Sequence, residues 1–170
     1  QLTTTYKPDL IIQMGIAGTY SKNEPLGKVM VVASESIADL GVRENGTFKD
    51  LFETGLQKEN EAPFKKRKLM NQGIKKVNLL KSDTAAGVTI NEITTSPKRI
   101  KEIIEAHNPV LESMEGAALH YVGCFTKTPF IQIRAISNYV GERNKVKWKL
   151  KESIEQLEAY VLTYLATLEN

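Results

Sequence analysis

Apolar residues come in short bursts separated by turn-forming or charged stretches. Asp9-Leu-Ile-Ile-Gln-Met14 is an apolar run ended by Gly15-Ile16-Ala17-Gly18, the pattern of a buried strand feeding a tight, glycine-containing turn. Lys28-Val-Met-Val-Val-Ala33, after the turn Pro25-Leu26-Gly27, reads as a neighbouring strand of the same sheet. Apolar positions then thin out from Ser34 to Gln57, and Lys58 to Lys68 is charged, so both stretches are expected at the surface. Gly87-Val-Thr-Ile-Asn91 is β-branched and predicts another strand. Ser96-Pro97 then supplies an N-cap and a first-turn proline for a helix to about His107, with Ile100, Ile103 and Ile104 on one face. Val110 to Ser113 reads as a short strand entering a helix from about Glu115 to Lys127. Pro129 to Ile136 is the clearest strand, with proline at its start, where no ladder bond is lost. A last helix runs from about Leu150 to Leu168, with Ile154, Leu157, Val161, Tyr164, Leu165 and Leu168 on one side. Strands alternating with helices predict an α/β fold whose largely parallel sheet is covered on both faces.

At 170 residues and 41% hydrophobic content the chain has material for one substantial core, so a single domain over residues 1–170 is expected. The 23 basic residues are interspersed with 20 acidic ones, leaving +3, which argues against nucleic acid as a partner; even the densest run, Lys65-Lys66-Arg67-Lys68, reads as a solvated loop or helix face. A single cysteine, Cys124, excludes an internal disulfide framework and a multi-cysteine metal site, which fits a reducing cytoplasm. No apolar stretch approaches the roughly 20 residues that span a bilayer, so no membrane is expected as a partner. The chain starts at Gln1 without methionine and meets a buried-looking strand within ten residues, so the expectation is a domain lacking its N-terminal strand or strands.

Ligands of open α/β sheets bind beyond the carboxyl ends of strands, which directs attention to Gly15–Gly18, Ser113–Gly116 and Ser137–Asn138. The glycine-containing turn offers small residues and backbone amides, but its spacing fits neither the phosphate loop nor the dinucleotide fingerprint. Glu115 stands where a strand becomes a helix; a carboxylate there can accept hydrogen bonds from two vicinal sugar hydroxyls or simply complement the helix dipole. Met114 beside it offers a soft apolar surface. Arg134 lies in a run of Phe, Ile and Ala and requires a polar or anionic partner, in a salt bridge or in a site. The amide of Asn138 donates and accepts along one edge, which suits a purine with an oxo group at its six-position. His107 and His120 lack metal-pair spacing and read as structural, Cys124 reads as core, and nothing resembles an acyl-transfer triad.

Gly-Ile-Ala-Gly at 15–18, Ser-Met-Glu-Gly-Ala-Ala at 113–118 and Arg-Ala-Ile-Ser-Asn at 134–138 together resemble the nucleoside phosphorylase and nucleosidase superfamily. Ala38-Asp-Leu-Gly-Val42, Leu51 to Leu56, Val88-Thr-Ile-Asn91 and Ser137 to Asn144 leading to Trp148 are most similar to its futalosine hydrolase branch. The resemblance implies a single-domain three-layer sandwich around a mixed, largely parallel sheet. It also implies hydrolysis of an N-ribosyl bond, futalosine to hypoxanthine in menaquinone synthesis, without metal or organic cofactor, by a homodimer. Carried over by position, Glu115 holds the ribose hydroxyls and Met114 packs on the sugar. Ala17 and Gly18 line the pocket with Ser137, Asn138 binds the departing base, and Arg134 lies on the nucleophile side.

The related methylthioadenosine nucleosidases carry an aspartate, able to protonate adenine, where this chain has Asn138. General acid catalysis typically contributes about 10²–10⁴-fold, so its absence suits a base that leaves through fixed hydrogen bonds. In the family a first strand carries the glutamate that activates water, and no segment before Thr5 fits it; as written the chain is expected to be inactive or crippled. Arg143 is a candidate for an anionic substrate arm and Trp148 for stacking on it, with a packed surface loop the alternative. Methylthioadenosine or adenosylhomocysteine nucleosidase, purine nucleoside phosphorylase and a non-catalytic purine-binding module remain open.

Overall fold

The computed structural model describes residues 2–169. A short helix α1 (Leu2–Tyr6) leads into β1 (Ile11–Thr19) and β2 (Val29–Ile37); β3 (Gly41–Glu44) and β4 (Thr47–Asp50) form an exposed hairpin. There follow β5 (Leu69–Met70), α2 (Ile74–Val77), β6 (Thr84–Thr89), α3 (Pro97–His107), β7 (Leu111–Ser113), α4 (Gly116–Thr126), β8 (Phe130–Tyr139) and α5 (Leu150–Leu168). The main sheet is mixed, ordered β5-β2-β6-β7-β1-β8, and β2 also pairs with β8, so the pairings close into a ring of β2, β6, β7, β1 and β8. Parallel pairs β1–β8, β2–β6 and β6–β7 form most of it, and β1–β7 and β2–β8 run antiparallel.

β8 is the axis of the molecule. Every residue from Phe130 to Ser137 is buried, because β1 and β2 flank the strand and helices cover it. On one side Val31, Ile131, Ile133 and Ala135 meet Leu157, Val161 and Tyr164 of α5. Each large side chain so buried contributes about 1.5–3 kcal/mol. Tyr164 also donates its hydroxyl to Val77 O at 2.7 Å, satisfying the one polar atom its burial would strand. The helical stripe is narrower than the periodicity predicts: Ser153, Leu157, Val161 and Tyr164 are buried, while Ile154, Leu165 and Leu168 face solvent. In α3 likewise only Ile103 is fully buried and Ile104 is exposed.

Three local expectations are corrected. Gly15 to Gly18 is not a turn: β1 runs on through it to Thr19, paired with β8 throughout and with β7 at Gly18 and Thr19, so its amides are largely engaged in the sheet. Glycine at 15 leaves room for the Arg134 guanidinium, since a Cβ there would crowd Nη1. β1 and β2 are not neighbours, since β8 lies between them. Ser34 to Ile37 is no surface excursion but the buried second half of β2, paired with β5 and β6. Glu35, the charged residue that most suggests exposure, faces Thr89 and Gln132 in the interior instead.

Candidate active site

The register of β1 on β8 brings two distant motifs side by side: Gly15 pairs with Arg134, Ala17 with Ile136 and Gly18 with Asn138, across a bulge that leaves Ser137 as the extra residue. β7, antiparallel to β1, then delivers Met114 and Glu115 to the opposite flank of β1, where the chain turns into α4 with Glu115 at the N-cap. Arg134 and Asn138 bracket this stretch of β8; the matching span of β1, three residues from Gly15 to Gly18, is roughly 10 Å at about 3.3 Å per residue.

Arg134 finds the partner that its burial demands. Its side chain is 4% exposed and places Nη2 3.1 Å from Glu115 Oε2, while the Glu115 side chain is 61% exposed. The guanidinium also donates to Gln13 Oε1 at 3.2 Å and to Ile16 O at 3.4 Å. Gln13 in turn donates to the Glu115 carbonyl at 3.3 Å. The carboxylate is thus held on one side by a fixed cation, with its other face open to a ligand. Met114, 48% exposed, stands next to it.

At the other end, Ser137 Oγ donates to Asn138 Oδ1 at 2.8 Å and lies 3.3 Å from Ala17 O. Asn138 Nδ2 donates to Tyr139 O at 3.1 Å. These contacts orient the amide, with its oxygen toward a hydroxyl and its nitrogen toward a carbonyl. A Cβ at Gly18 would lie 3.4 Å from Asn138 Nδ2 and 3.1 Å from Val140 Cγ2, so glycine keeps this corner open.

Behind Glu115 lies a polar group that the sequence reading missed. Glu35 on β2 is 1% exposed. Gln132 Nε2 donates to its Oε1 at 3.0 Å and Thr89 Oγ1 to its Oε2 at 3.1 Å. Burial pushes the carboxyl up to about 7, against the two hydrogen bonds and the nearby Arg134 charge, which favour ionisation. The available signal was the continuation of the 28–33 strand pattern, in which Ser34-Glu35-Ser36 leads on to an apolar Ile37. Gln13, Thr89 and Gln132 gave no signal of their own, because single polar residues within strand runs do not show which face they occupy.

Arg143 and Trp148 have other surroundings. Arg143 is exposed on the turn after β8, and Trp148 Nε1 donates to Glu142 O at 2.9 Å; among the described residues neither shares a hydrogen bond with Glu115, Arg134 or Asn138. His120 is buried with Nδ1 3.0 Å from Leu69 O, and burial pulls its imidazole down to about 4. His107 closes α3. Cys124 is half-buried rather than core, its thiol donating to Met70 O at 3.3 Å. Among the described residues no group of three or more His, Cys, Asp or Glu is placed to hold a metal ion.

Fold and site together define the class: a mixed α/β sheet closed on itself, with a guanidinium-backed carboxylate and an oriented amide set along neighbouring strands. The chain belongs to the phosphorylase superfamily, which it matches over residues 1–166. It is 25% identical over 163 residues to the futalosine hydrolase of Streptomyces coelicolor, covering 95% of this chain and 67% of that protein. Against the futalosine hydrolase of Thermus thermophilus the identity is 28% over 154 residues, covering 89% and 67%. The structure of futalosine hydrolase from Helicobacter pylori superposes with a TM-score of 0.76 at 12% identity, covering 98% of this chain and 71% of that one. The chain thus spans about two thirds of the length of the curated relatives it matches.

Proposed function

We propose that this protein hydrolyses the N-ribosyl bond of a purine nucleoside, with futalosine as substrate and hypoxanthine as the released base. The observation that carries the reading is the Glu115–Arg134 pair, 3.1 Å apart, with its carboxylate open to solvent beside β1. Glu115 accepts hydrogen bonds from the ribose 2′- and 3′-hydroxyls, and Met114 packs on the sugar. Arg134 holds the carboxylate ionised and in place. As the C–N bond lengthens, positive charge develops on the ribose, and a carboxylate bonded to its hydroxyls stabilises that charge. Asn138, oriented by Ser137 and Tyr139 O, hydrogen-bonds the leaving base between Ala17 and Gly18 without protonating it; the water oxygen bonds to the anomeric carbon as the C–N bond breaks, and one water proton ends on the released hypoxanthine. Similarity to two curated futalosine hydrolases supports the choice of substrate.

We place the protein in the cytoplasm as a homodimer, in which Arg143 and Trp148 meet the substrate's far arm. No helix among the described residues is long and apolar enough to cross a membrane. Tyr121, Val122 and Phe125 leave the outer face of α4 apolar and exposed, which supports a second subunit there. Light scattering is expected to give twice the chain mass.

The deciding experiment incubates the protein, with any residues that precede Gln1 in its natural reading frame, with futalosine, inosine and methylthioadenosine, each with and without phosphate. Hypoxanthine from futalosine at a rate independent of phosphate is expected. Cleavage of methylthioadenosine alone sinks the futalosine reading, phosphate-dependent release makes the protein a phosphorylase, and purine binding without cleavage makes it a binding module. Glu115→Gln is expected to abolish turnover and leave base binding intact.

A further inference from the structure

We propose that Glu35 is a positioning residue for the ribose-binding carboxylate, acting through Thr89 on the first turn of α4; the proposal rests on the nucleosidase reading of Glu115. The Thr89 hydroxyl donates to Glu35 Oε2 at 3.1 Å and accepts the backbone N–H of Ala117 at 2.7 Å. That amide is one of the first four of α4, which no intrahelical carbonyl satisfies. Glu115 is the N-cap of the same helix, two residues earlier, and its own side chain makes no capping bond. The direction in which its carboxylate leaves the helix therefore depends on what holds the turn behind it.

The packing around Glu35 is built for contact with that turn. A Cβ at Gly116 would collide with Glu35 Oε1 and with Gln132 Nε2, and one at Gly87 would also crowd Glu35 Oε1. Two glycines, one on β6 and one at the start of α4, thus let the backbone close directly over a buried carboxylate. Gln132 Nε2 donates to the other carboxylate oxygen at 3.0 Å. Gln132 and Arg134 lie two apart on β8 and so share one face of that strand. The same strand therefore braces Glu35 and pairs with Glu115.

Glu35 is ionised in this role. The Thr89 hydroxyl hydrogen points to Glu35 while its oxygen receives the Ala117 amide, an arrangement that needs an acceptor at Oε2. Protonating Glu35 puts a hydrogen on one of two oxygens that each already face a donor, Thr89 Oγ1 or Gln132 Nε2, so one of those two hydrogen bonds is weakened or lost. The charged groups bearing on Glu35 are Arg134 from β8, which favours the carboxylate, and Glu115 from the start of α4, which opposes it; His120 of α4 stays neutral through burial. With the carboxyl pushed up to about 7, activity acquires an acidic limb near neutrality that belongs to the protein rather than to the substrate.

The test compares wild type, carrying any residues that precede Gln1 in its natural reading frame, with Glu35→Gln, Thr89→Val, their double mutant and Thr89→Ser in the same background, measuring kcat and KM on futalosine from pH 5 to 9. Glu35→Gln is expected to lower kcat about tenfold or more with KM within about twofold, because the contact it misplaces matters most as charge develops on the ribose. It should also flatten the acidic limb. Thr89→Val is expected to match it, the double mutant to be no worse than either single, and Thr89→Ser to restore the wild-type rate. A kcat within twofold of wild type, or an unchanged pH profile in Glu35→Gln, overturns the proposal. If wild type cleaves no nucleoside, the nucleosidase reading falls by itself, and amide hydrogen exchange then decides the link. Faster exchange at Ala117 in both single variants supports it, and unchanged exchange overturns it.

Discussion

Asn138 has both ends of its amide engaged, with Ser137 Oγ donating to its oxygen and Tyr139 O facing its nitrogen. An aspartate there would turn a carboxylate oxygen toward that carbonyl and be pushed toward its protonated form. Asn138→Asp is therefore expected to lower hypoxanthine release and raise the adenine-to-hypoxanthine preference about tenfold or more, read from initial rates on inosine and adenosine. Glu35 presents the opposite balance. Its folded carboxyl titrates at about 7 against 4.5 for the ordinary group, so between those values the folded state holds a proton that the unfolded chain has released. The stability associated with that proton is fully present below about pH 4.5 and is lost as pH rises through about 7. Glu35→Gln removes this loss. Its thermal midpoint is expected to gain on wild type progressively from pH 4.5 to 7 and to hold that gain above. A variant less active yet more stable at pH 8 marks a residue kept for positioning at a cost to stability. A midpoint difference that does not vary with pH contradicts this.

Among the elements, β1 shows most plainly how backbone choice places chemistry. Gly15 leaves the space that the Arg134 guanidinium occupies on its way to Glu115. Gly15→Ala is expected to push the guanidinium off the carboxylate and cost about 1–3 kcal/mol in stability through overpacking. Turnover should fall about 100-fold, since misplacing a catalytic contact by an ångström costs that much; a kcat within twofold of wild type would show that Arg134 is dispensable for aiming Glu115. The helices were easier to read from sequence than this strand. Pro97 marks the observed start of α3 because a fixed proline φ acts locally, and α5 starts at Leu150 as its periodicity predicts, although neither Ser96 nor Lys149 makes a side-chain capping bond. Glycines in β1 mimic a turn, since a turn and a close side-chain approach both require a missing Cβ. Ser34 to Ser36 look solvated, since three consecutive polar residues break the apolar pattern without saying what either strand face meets.

For the whole molecule, closure of the strand ring is the decisive event. It puts β8 between β1 and β2, buries Arg134 beside Gly15, and encloses Glu35 and Gln132 in an interior that is polar where it backs the site. The α/β class, the helices α3, α4 and α5 and the need of a buried Arg134 for a polar or anionic partner were determined by the sequence itself, because periodicity and the cost of burying an unpaired guanidinium are properties of short segments. Only tertiary structure decided that Glu115 is that partner, that Gln13 shares the guanidinium, and that Glu35 and Thr89 stand behind the first turn of α4. These contacts join residues from 19 positions apart (Glu115 and Arg134) to 121 (Gln13 and Arg134), and the strand register that brings them within hydrogen-bond reach exists only once the ring is closed.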